Sequence, residues 1–241
     1  MIILTFSLEQ GTNISNLTCW YQPIYQLDTM DILGFESLVR SKFHRNFNAL
    51  ELFYQAQMQR HLTILDYQLI LKAQQLFKNK DTYSLFINIF SSTLLDKKFI
   101  SWWHKFSGII PSIVLELSEE DPVSDWKTLK YVIKELKENR VKIAVDDMGE
   151  GYSFLQHWIE LEPDYIKLDR CYMTKLVESE VKQKTLSDLV KMIDTSTKII
   201  VEGVEQIECV EIVKKMGIQY AQGYALGRPA PLNSFFSNNL K

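Results

Sequence analysis

The sequence lacks the cysteine pattern of a disulfide-stabilised or zinc-binding protein. Its three cysteines, Cys19, Cys171 and Cys209, are odd in number, widely separated and without a CxxC spacing. Proteins that keep all their cysteines free are typical of reducing compartments. We therefore expect the chain to be cytoplasmic.

Long apolar runs and an excess of basic charge are missing as well. No stretch approaches the roughly 20 apolar residues that a membrane-spanning helix needs. The net charge of −3 argues against duplex DNA or RNA as a partner, because phosphate backbones select basic surfaces. No segment is rich in proline, glycine or serine and no internal repeat is visible, which favours one domain in these 241 residues.

Short apolar segments alternate with amphipathic ones along most of the chain. Two strand-like segments at 18–25 and 32–39 are joined by a short polar link, which favours an antiparallel pair. Helical segments are predicted at 48–59 and 62–79, and beyond them strand-like and helical stretches alternate, as in βαβ units with parallel strands. The later strand-like segments lie at 83–89, 112–117, 141–145, 164–168, 198–202 and 219–224.

Helical periodicity is clear in two of the intervening stretches. Residues 124–139 present one apolar face, and Ser124 is predicted to cap the start of that helix. Residues 205–217 show the same pattern, and Gly217 is predicted to end the helix. About eight strands in this alternation predict closure into an α/β barrel, with a doubly wound open sheet as the alternative.

Nearly every strand-like segment carries an ionisable or amide residue at or near its C-terminal end. In a (β/α) barrel these ends meet on one face, where active sites are built. Five of these residues are carboxylates, and the single lysine and the single arginine among them supply too little positive charge to balance five negative ones. Oxygen ligands such as carboxylates suit hard divalent cations. The residues are Glu36, Asn88, Glu116, Asp146, Asp147, Lys167, Glu202 and Gln222, with Arg40 on the same strand face as Glu36.

Individual members of this set have other interpretations. Asp146 or Asp147 alone could cap the next helix, and Lys167 could be an ordinary surface lysine. Lys167 at a barrel strand end could also be the Schiff-base lysine of an aldolase-like enzyme. Glu116 favours the metal site, because its apolar neighbours predict a buried strand, where a carboxylate must be paired or bound to metal.

The motifs of the chain, taken in order, resemble those of the EAL family of cyclic-di-GMP phosphodiesterases. They are YQPI (21–24), ESLVR (36–40), NIF (88–90), LELSEE (115–120), DDMGEGYS (146–153), YIKLD (165–169), VEGVE (201–205) and QGYALGRP (222–229). The resemblance implies a modified TIM (β/α)8 barrel with an antiparallel first strand. It also implies metal-dependent hydrolysis of cyclic di-GMP to linear pGpG with two Mg²⁺ or Mn²⁺ ions. A catalytically weak or inactive EAL domain that binds the nucleotide or a protein partner is the alternative.

The same resemblance implies roles for individual residues. Ligands of the first metal would be Glu36, Asn88, Glu116 and Asp146, and those of the second would be Asp146, Asp147 and Glu202. Lys167 would contact and help to activate the attacking water, and Glu119 would anchor the loop after the two aspartates. Substrate contacts are implied for Gln22, Arg40 and Gln222, and a supporting role around the ligands for Asp169 and Glu205.

The chain departs from the family's pattern in three places. Ser37 replaces the alanine of the EAL motif, Met148 and Glu150 replace a phenylalanine and a threonine, and 91–111 looks short. The loop that carries Glu150 couples the dimer interface to catalysis in the family, so these departures bear on regulation and rate. We expect a homodimer in which residues 1–17 form an N-terminal leader and 18–241 a single barrel domain, whether stand-alone or part of a larger protein.

Overall fold

A closed barrel of eight strands forms the centre of the computed structural model, which describes residues 14–43, 47–106, 112–118, 121–148, 154–193 and 195–236. The strands follow one another around the barrel in chain order. They are β1 (Leu17–Gln26), β2 (Ile32–Ser41), β3 (Ser84–Ile89), β4 (Ile113–Ser118), β5 (Lys142–Met148), β6 (Tyr165–Leu168), β7 (Lys198–Val201) and β8 (Tyr220–Ala221).

Strand β1 runs against the direction of the others. It pairs antiparallel with β2 and with β8, whereas all neighbouring pairs from β2 to β8 are parallel. The short link between β1 and β2 accounts for this, because a parallel connection needs a long crossover. The predicted barrel with an antiparallel first strand is confirmed, and closure of the sheet rules out the doubly wound alternative.

Eight α-helices connect the strands within the described residues. They are α1 (Ala49–Met58), α2 (Leu62–Phe77), α3 (Ser91–Leu94), α4 (Phe99–Phe106), α5 (Trp126–Glu138), α6 (Phe154–Leu161), α7 (Glu180–Met192) and α8 (Glu208–Lys215). Each buried helix face packs on the outside of the barrel; Leu129 and Ile133 of α5, for example, share a core cluster with Leu115 and Ile143 of the strands. None of these helices combines the length and the apolar character needed to cross a membrane.

The two predicted helix boundaries have different outcomes. The prediction that Ser124 caps α5 is wrong, because the carboxylate of Asp125 accepts a 3.0 Å hydrogen bond from Thr128 N. Asp125 is one residue closer to the first turn, where a capping side chain can reach the free N–H groups. The prediction that Gly217 ends α8 is confirmed, since its φ of +88° lies in the left-handed region that glycine adopts without strain.

The interior of the barrel is layered. An apolar layer consists of Ile24, Phe86, Val114, Ala144, Tyr165, Ile200 and Tyr220. Residues two apart in a strand face the same side, so the next inward residues along β3 to β8 are polar. They are Asn88, Glu116, Asp146, Lys167, Glu202 and Gln222. The polar layer therefore lies at the C-terminal ends of the strands, directly on top of an apolar floor.

The first described residues pack into the same domain. Ile14 and Leu17, which fall within the predicted leader, are buried in a cluster with Leu52 and Leu65 of the first two helices. Lys72 Nζ donates hydrogen bonds to the carbonyl oxygens of Ile14 at 3.1 Å and Leu17 at 2.7 Å. These contacts fix the point at which the chain enters β1.

Candidate active site

Lys167 lies at the centre of the polar layer and is only 1% exposed. Its Nζ is 2.7 Å from Glu202, 2.9 Å from Glu116, 3.0 Å from Asp146 and 3.8 Å from Glu36, each measured to a carboxylate oxygen. Burial alone lowers the pKa of Lys167, but the four carboxylates together outweigh burial and raise it well above its ordinary value. Because a Schiff-base lysine must be neutral to attack a carbonyl, this environment argues against the aldolase-like interpretation.

Glu116 is the most enclosed acid of the site. Lys167 forms an ion pair with Oε1, whereas Oε2 has no hydrogen-bond partner among the described residues. Burial raises the pKa of Glu116 well above its usual range, although Lys167 opposes the shift. A buried carboxylate oxygen without a partner is unfavourable, so this position favours a further cation.

The acids form two groups of three that share one member. Glu36, Glu116 and Asp146 make the first group, and Asp146, Asp147 and Glu202 the second; in each, one oxygen per residue lies within 4.8 Å of the others. Such clusters of oxygen ligands are suited to hard divalent cations. With a single buried lysine among five carboxylates, two cations would supply the missing positive charge, so these residues fit the two metals that the family resemblance implies.

Asp146 and Asp147 face the same site although they are neighbours in a strand. Consecutive side chains of a regular strand point to opposite faces. Here the pairing of β5 with β6 shifts its register between Val145 and Met148, and Asp147 has a φ of 54°. The N–H of Asp147 donates a 3.0 Å hydrogen bond to Asp146 Oδ1. The bulge at the end of β5 therefore brings both carboxylates to one side.

Two amides hold Glu36 from either side. Asn88 Nδ2 donates to Oε1 at 3.2 Å, and Gln222 Nε2 donates to Oε2 at 2.7 Å. Gly223 permits the second contact, because a Cβ there would lie 2.2 Å from the backbone nitrogen of Val204. The close approach of the segments that follow β7 and β8 thus sets the position of Gln222.

A cleft of about 350 Å³ opens onto the acidic groups. Predicted site residues that line it are Gln22, Glu36, Asp147, Asp169, Glu202, Glu205 and Gln222. Gln22 Nε2 donates to Gly227 O at 3.1 Å, and Asp169 accepts from Cys171 N at 2.7 Å, which holds the turn after β6. Four further lining residues, Arg170, Gly203, Gly223 and Tyr224, were not predicted from the sequence, although all four lie within or beside the matched motifs.

Arg40 lies beside the acidic groups but not in the cleft. It lines a second, mainly apolar cavity of about 240 Å³, which reaches Asn88, Asp146 and Asp147. Its guanidinium donates a 2.8 Å hydrogen bond to Val39 O and forms no ion pair with any carboxylate in the described ranges. The remaining N–H groups of Arg40 are therefore available to an anion.

Two predicted features lie outside the described residues. One is Glu119, which the resemblance makes an anchor of the loop after the two aspartates. The other is the loop 149–153 itself, with Glu150. Their predicted roles stay predictions.

Two curated proteins from Escherichia coli (strain K12) are similar to this chain. The probable cyclic di-GMP phosphodiesterase PdeA is 30% identical over 153 residues, which cover 61% of this chain and 21% of that protein. The cyclic di-GMP phosphodiesterase PdeL is 23% identical over 231 residues, covering 90% of this chain and 64% of that protein. The chain thus spans less than two thirds of the length of either relative.

The fold is shared with solved structures. BlrP1 of Klebsiella pneumoniae, in its manganese and cyclic di-GMP complex at pH 9.0, matches with a TM-score of 0.79 at 24% identity, over 89% of this chain and 56% of that one. At 24% identity, this similarity establishes a shared fold only. The model of the EAL domain family matches residues 7–229, nearly the whole chain. The chain therefore belongs to the EAL domain family.

Proposed function

We propose that this chain hydrolyses cyclic di-GMP to linear pGpG with the help of two Mg²⁺ or Mn²⁺ ions. The observation that carries this function is the sharing of Asp146 between two groups of three carboxylates around a buried lysine. The activities named for PdeA and PdeL support the reaction. The manganese and cyclic di-GMP complex of BlrP1 supports the metal and the ligand.

The two groups of acids divide the metal ligands between them. Glu36, Asn88, Glu116 and Asp146 would hold one ion, and Asp146, Asp147 and Glu202 the other. Two such ions, when bound, activate a water molecule and neutralise the charge of a phosphodiester. They would also provide a partner for the free Oε2 of Glu116.

Lys167 acts as a fixed positive charge. Its ammonium group lies within 3.0 Å of oxygens of Glu116, Asp146 and Glu202, where it can donate hydrogen bonds to an attacking oxygen. Its contacts with Glu116, Asp146 and Glu202 also hold these ligands in position before substrate arrives. An organised charge at the point where negative charge develops lowers the barrier more than a mobile one does.

The remaining predicted residues bind the substrate or support the metal ligands. Arg40 addresses a phosphate of the substrate, since a guanidinium matches the geometry of phosphate oxygens. Gln22 and Gln222 present amide groups to the cleft, and Gln222 also fixes Glu36. Asp169 supports the site by holding the turn after β6, whereas Glu205 is exposed at the rim. Glu119 keeps its proposed role as the anchor of the loop after Asp147.

A test of this function must separate hydrolysis from mere binding of the nucleotide. The purified chain is incubated with cyclic di-GMP and Mn²⁺, and pGpG is followed by chromatography. Asp146→Asn removes the shared ligand. Asp164→Asn is its matched control, because Asp164 lies at the opposite end of the barrel, where it accepts a 2.9 Å hydrogen bond from Ile143 N. We expect the first variant alone to lose more than about 100-fold in rate. Binding without any pGpG would instead identify a receptor.

We also propose that the chain forms a homodimer in the cytoplasm. Exposed Tyr131 on α5 and Ile159 on α6 lie on helices that are joined by the 2.7 Å ion pair of Lys130 with Glu160. We infer that a second copy would cover these two exposed apolar side chains. Sedimentation of the wild type against Tyr131→Glu tests this; an unchanged monomeric mass in both would contradict it.

A further inference from the structure

Arg170 is the only basic side chain that lines the cleft over the acidic groups, among the described residues. The same wall carries five carboxylates, those of Glu36, Asp147, Asp169, Glu202 and Glu205. Three of these five belong to the groups that fit metal ions, and Asp169 accepts a hydrogen bond from the turn after β6. An anionic part of a ligand that enters this cleft away from the metal groups therefore has one fixed cation to meet, the guanidinium of Arg170.

The backbone on two sides holds Arg170 in this position. Its carbonyl oxygen accepts hydrogen bonds from Met173 N at 2.9 Å and Thr174 N at 3.1 Å, which close the turn after β6. Gly203, in the turn after β7, lies directly against its side chain, because a Cβ on Gly203 would be 2.3 Å from Arg170 Cβ. Gly203 also has a φ of +66°, which glycine adopts without strain. The close approach of the two turns brings Arg170 next to Glu202 at the edge of the cleft.

The guanidinium of Arg170 is not engaged by the acids around it. It forms no ion pair in the part of the chain that the structure describes, and the residue is exposed. The ammonium of Lys167, by contrast, is buried and surrounded by carboxylates. A guanidinium is always charged and can donate two parallel N–H bonds to one phosphate. Arg170 is therefore the cation in this cleft that an incoming anion can reach.

A cyclic dinucleotide contains two phosphodiester groups, of which one at a time lies at the place of reaction. The other keeps its negative charge and faces a cleft whose wall is rich in carboxylates, which is unfavourable without a compensating cation. Arg40 does not line this cleft, so the two arginines address different parts of the ligand. We propose that Arg170 binds the second, non-reacting phosphate of the substrate and so favours ligands with two phosphates. This assignment rests on the proposed function.

Two other effects of Arg170 must be separated from this contact. A guanidinium also stacks on a base, and any positive charge near the cleft attracts an anion at long range. The linear dinucleotide GpG addresses the first, because it keeps both guanines but has one phosphate. Lys175 addresses the second: it lies in the same segment between β6 and α7 and lines a neighbouring cavity of about 510 Å³ together with Arg170, but does not line the cleft.

The experiment measures kcat and KM for cyclic di-GMP, and the inhibition constant Ki of GpG against that reaction, at saturating Mn²⁺. The wild type is compared with Arg170→Gln, Arg170→Lys and Lys175→Gln, and thermal unfolding checks that each variant folds. We expect Arg170→Gln to raise KM by about tenfold, with a smaller change in kcat and an unchanged Ki for GpG. Arg170→Lys keeps the charge without the paired N–H groups, so its KM should be intermediate. Lys175→Gln should resemble the wild type in all three constants.

Each outcome bears on one of the two proposals. An unchanged KM in Arg170→Gln overturns the role of Arg170. An equal rise in the Ki of GpG overturns it too, since the contact would then be with a base or with the reacting phosphate. An equal rise of KM in Lys175→Gln would make the overall charge the cause.

Failure of hydrolysis is distinguishable from failure of this contact. If the wild type forms no pGpG, hydrolysis is wrong. Both dinucleotides then persist, and calorimetric Kd values in the Mn²⁺ buffer provide the same comparison between the variants. A wild type that does not bind cyclic di-GMP overturns the role of Arg170 as well.

Discussion

Gln222 and Glu36, which lie 186 positions apart in the chain, are joined by a 2.7 Å hydrogen bond from the amide Nε2 to the carboxylate Oε2. Strands β8 and β2 do not pair with each other, since both pair with β1 between them. The bond therefore spans the point where the barrel closes. It fixes the rotamer of an acid that also belongs to the first carboxylate group.

Gln222→Ala is expected to lower kcat/KM for cyclic di-GMP by about tenfold, because Glu36 loses one of the two amides that orient it. Gln219→Ala is the matched control. Gln219 lies at the other end of β8, where its side chain accepts a 3.0 Å hydrogen bond from Ile199 N. We expect that variant to lose stability with little change in kcat/KM. Wild-type kinetics in Gln222→Ala would contradict the orienting role.

Divalent cations should stabilise the protein as well as activate it. Ions that bind only the folded state raise the free energy of unfolding by about 2.7 kcal/mol when their concentration is 100 times Kd. We expect Mn²⁺ to raise the Tm of the chelator-treated wild type and to restore hydrolysis. Asp146→Asn should show neither effect, because it alters the acid that both groups share. Hydrolysis that survives exhaustive chelation would rule out the metal site.

The stability of the metal-free protein should fall as the pH rises. Burial raises the pKa of Glu116, and it raises that of Glu202 from an ordinary 4.5 to about 8. An acid whose pKa is higher in the folded than in the unfolded state contributes its full stabilisation at pH values below the pKa of the unfolded state. This contribution is lost as the pH rises towards the pKa of the folded state. Between pH 5 and 8 we expect the free energy of unfolding to fall by up to about 1.4 kcal/mol per pH unit for each acid that is protonated in the folded state and ionised in the unfolded state.

Urea unfolding at several pH values measures this dependence. Saturating Mn²⁺ should flatten it, because cations beside the carboxylates lower their pKa values. A metal-free stability that rises from pH 5 to pH 8 would show that these acids are not protonated more strongly in the folded chain.

Lys167→Met is expected to destabilise the metal-free protein by about 3–5 kcal/mol at neutral pH, since it leaves the surrounding carboxylates without their buried partner. Mn²⁺ should restore part of this stability but not hydrolysis, because the fixed donor for the attacking oxygen is gone. Lys191→Met, at an exposed ion pair with Asp188, serves as the control and should change little. Equal stabilities of the two variants in chelator would contradict the charge balance described for the site.

Arg40→Ala should raise KM for cyclic di-GMP by at least about tenfold with a smaller change in kcat, because the guanidinium binds a phosphate rather than a reacting atom. Arg40→Lys keeps the charge but not the paired N–H groups, so an intermediate KM is expected. Steady-state kinetics decide the matter. A fall in kcat with KM unchanged would place Arg40 in the chemical step instead.

Much of the architecture was predictable from local patterns. The apolar run 143–145 marked β5, and the alternation of such runs with amphipathic stretches predicted a barrel. Strand-end polar residues then had to meet, because parallel strands carry their C-terminal ends to one face. The cap of α5 was less predictable, since Ser124 and Asp125 are both good capping residues and only backbone geometry selects between them.

Periodicity and ordered motifs are local properties of the chain, so the class of fold, the acids at the strand ends and the family of the chain could be predicted without a structure. The packing of the barrel decided that Asp147 turns back beside Asp146, since the φ of 54° at Asp147 depends on the bulge between β5 and β6. It also decided that Gln222 meets Glu36 and that Asp66 faces a cavity. Those contacts join distant segments, and their positions follow from how the barrel closes and how α2 packs on it, which no local pattern encodes.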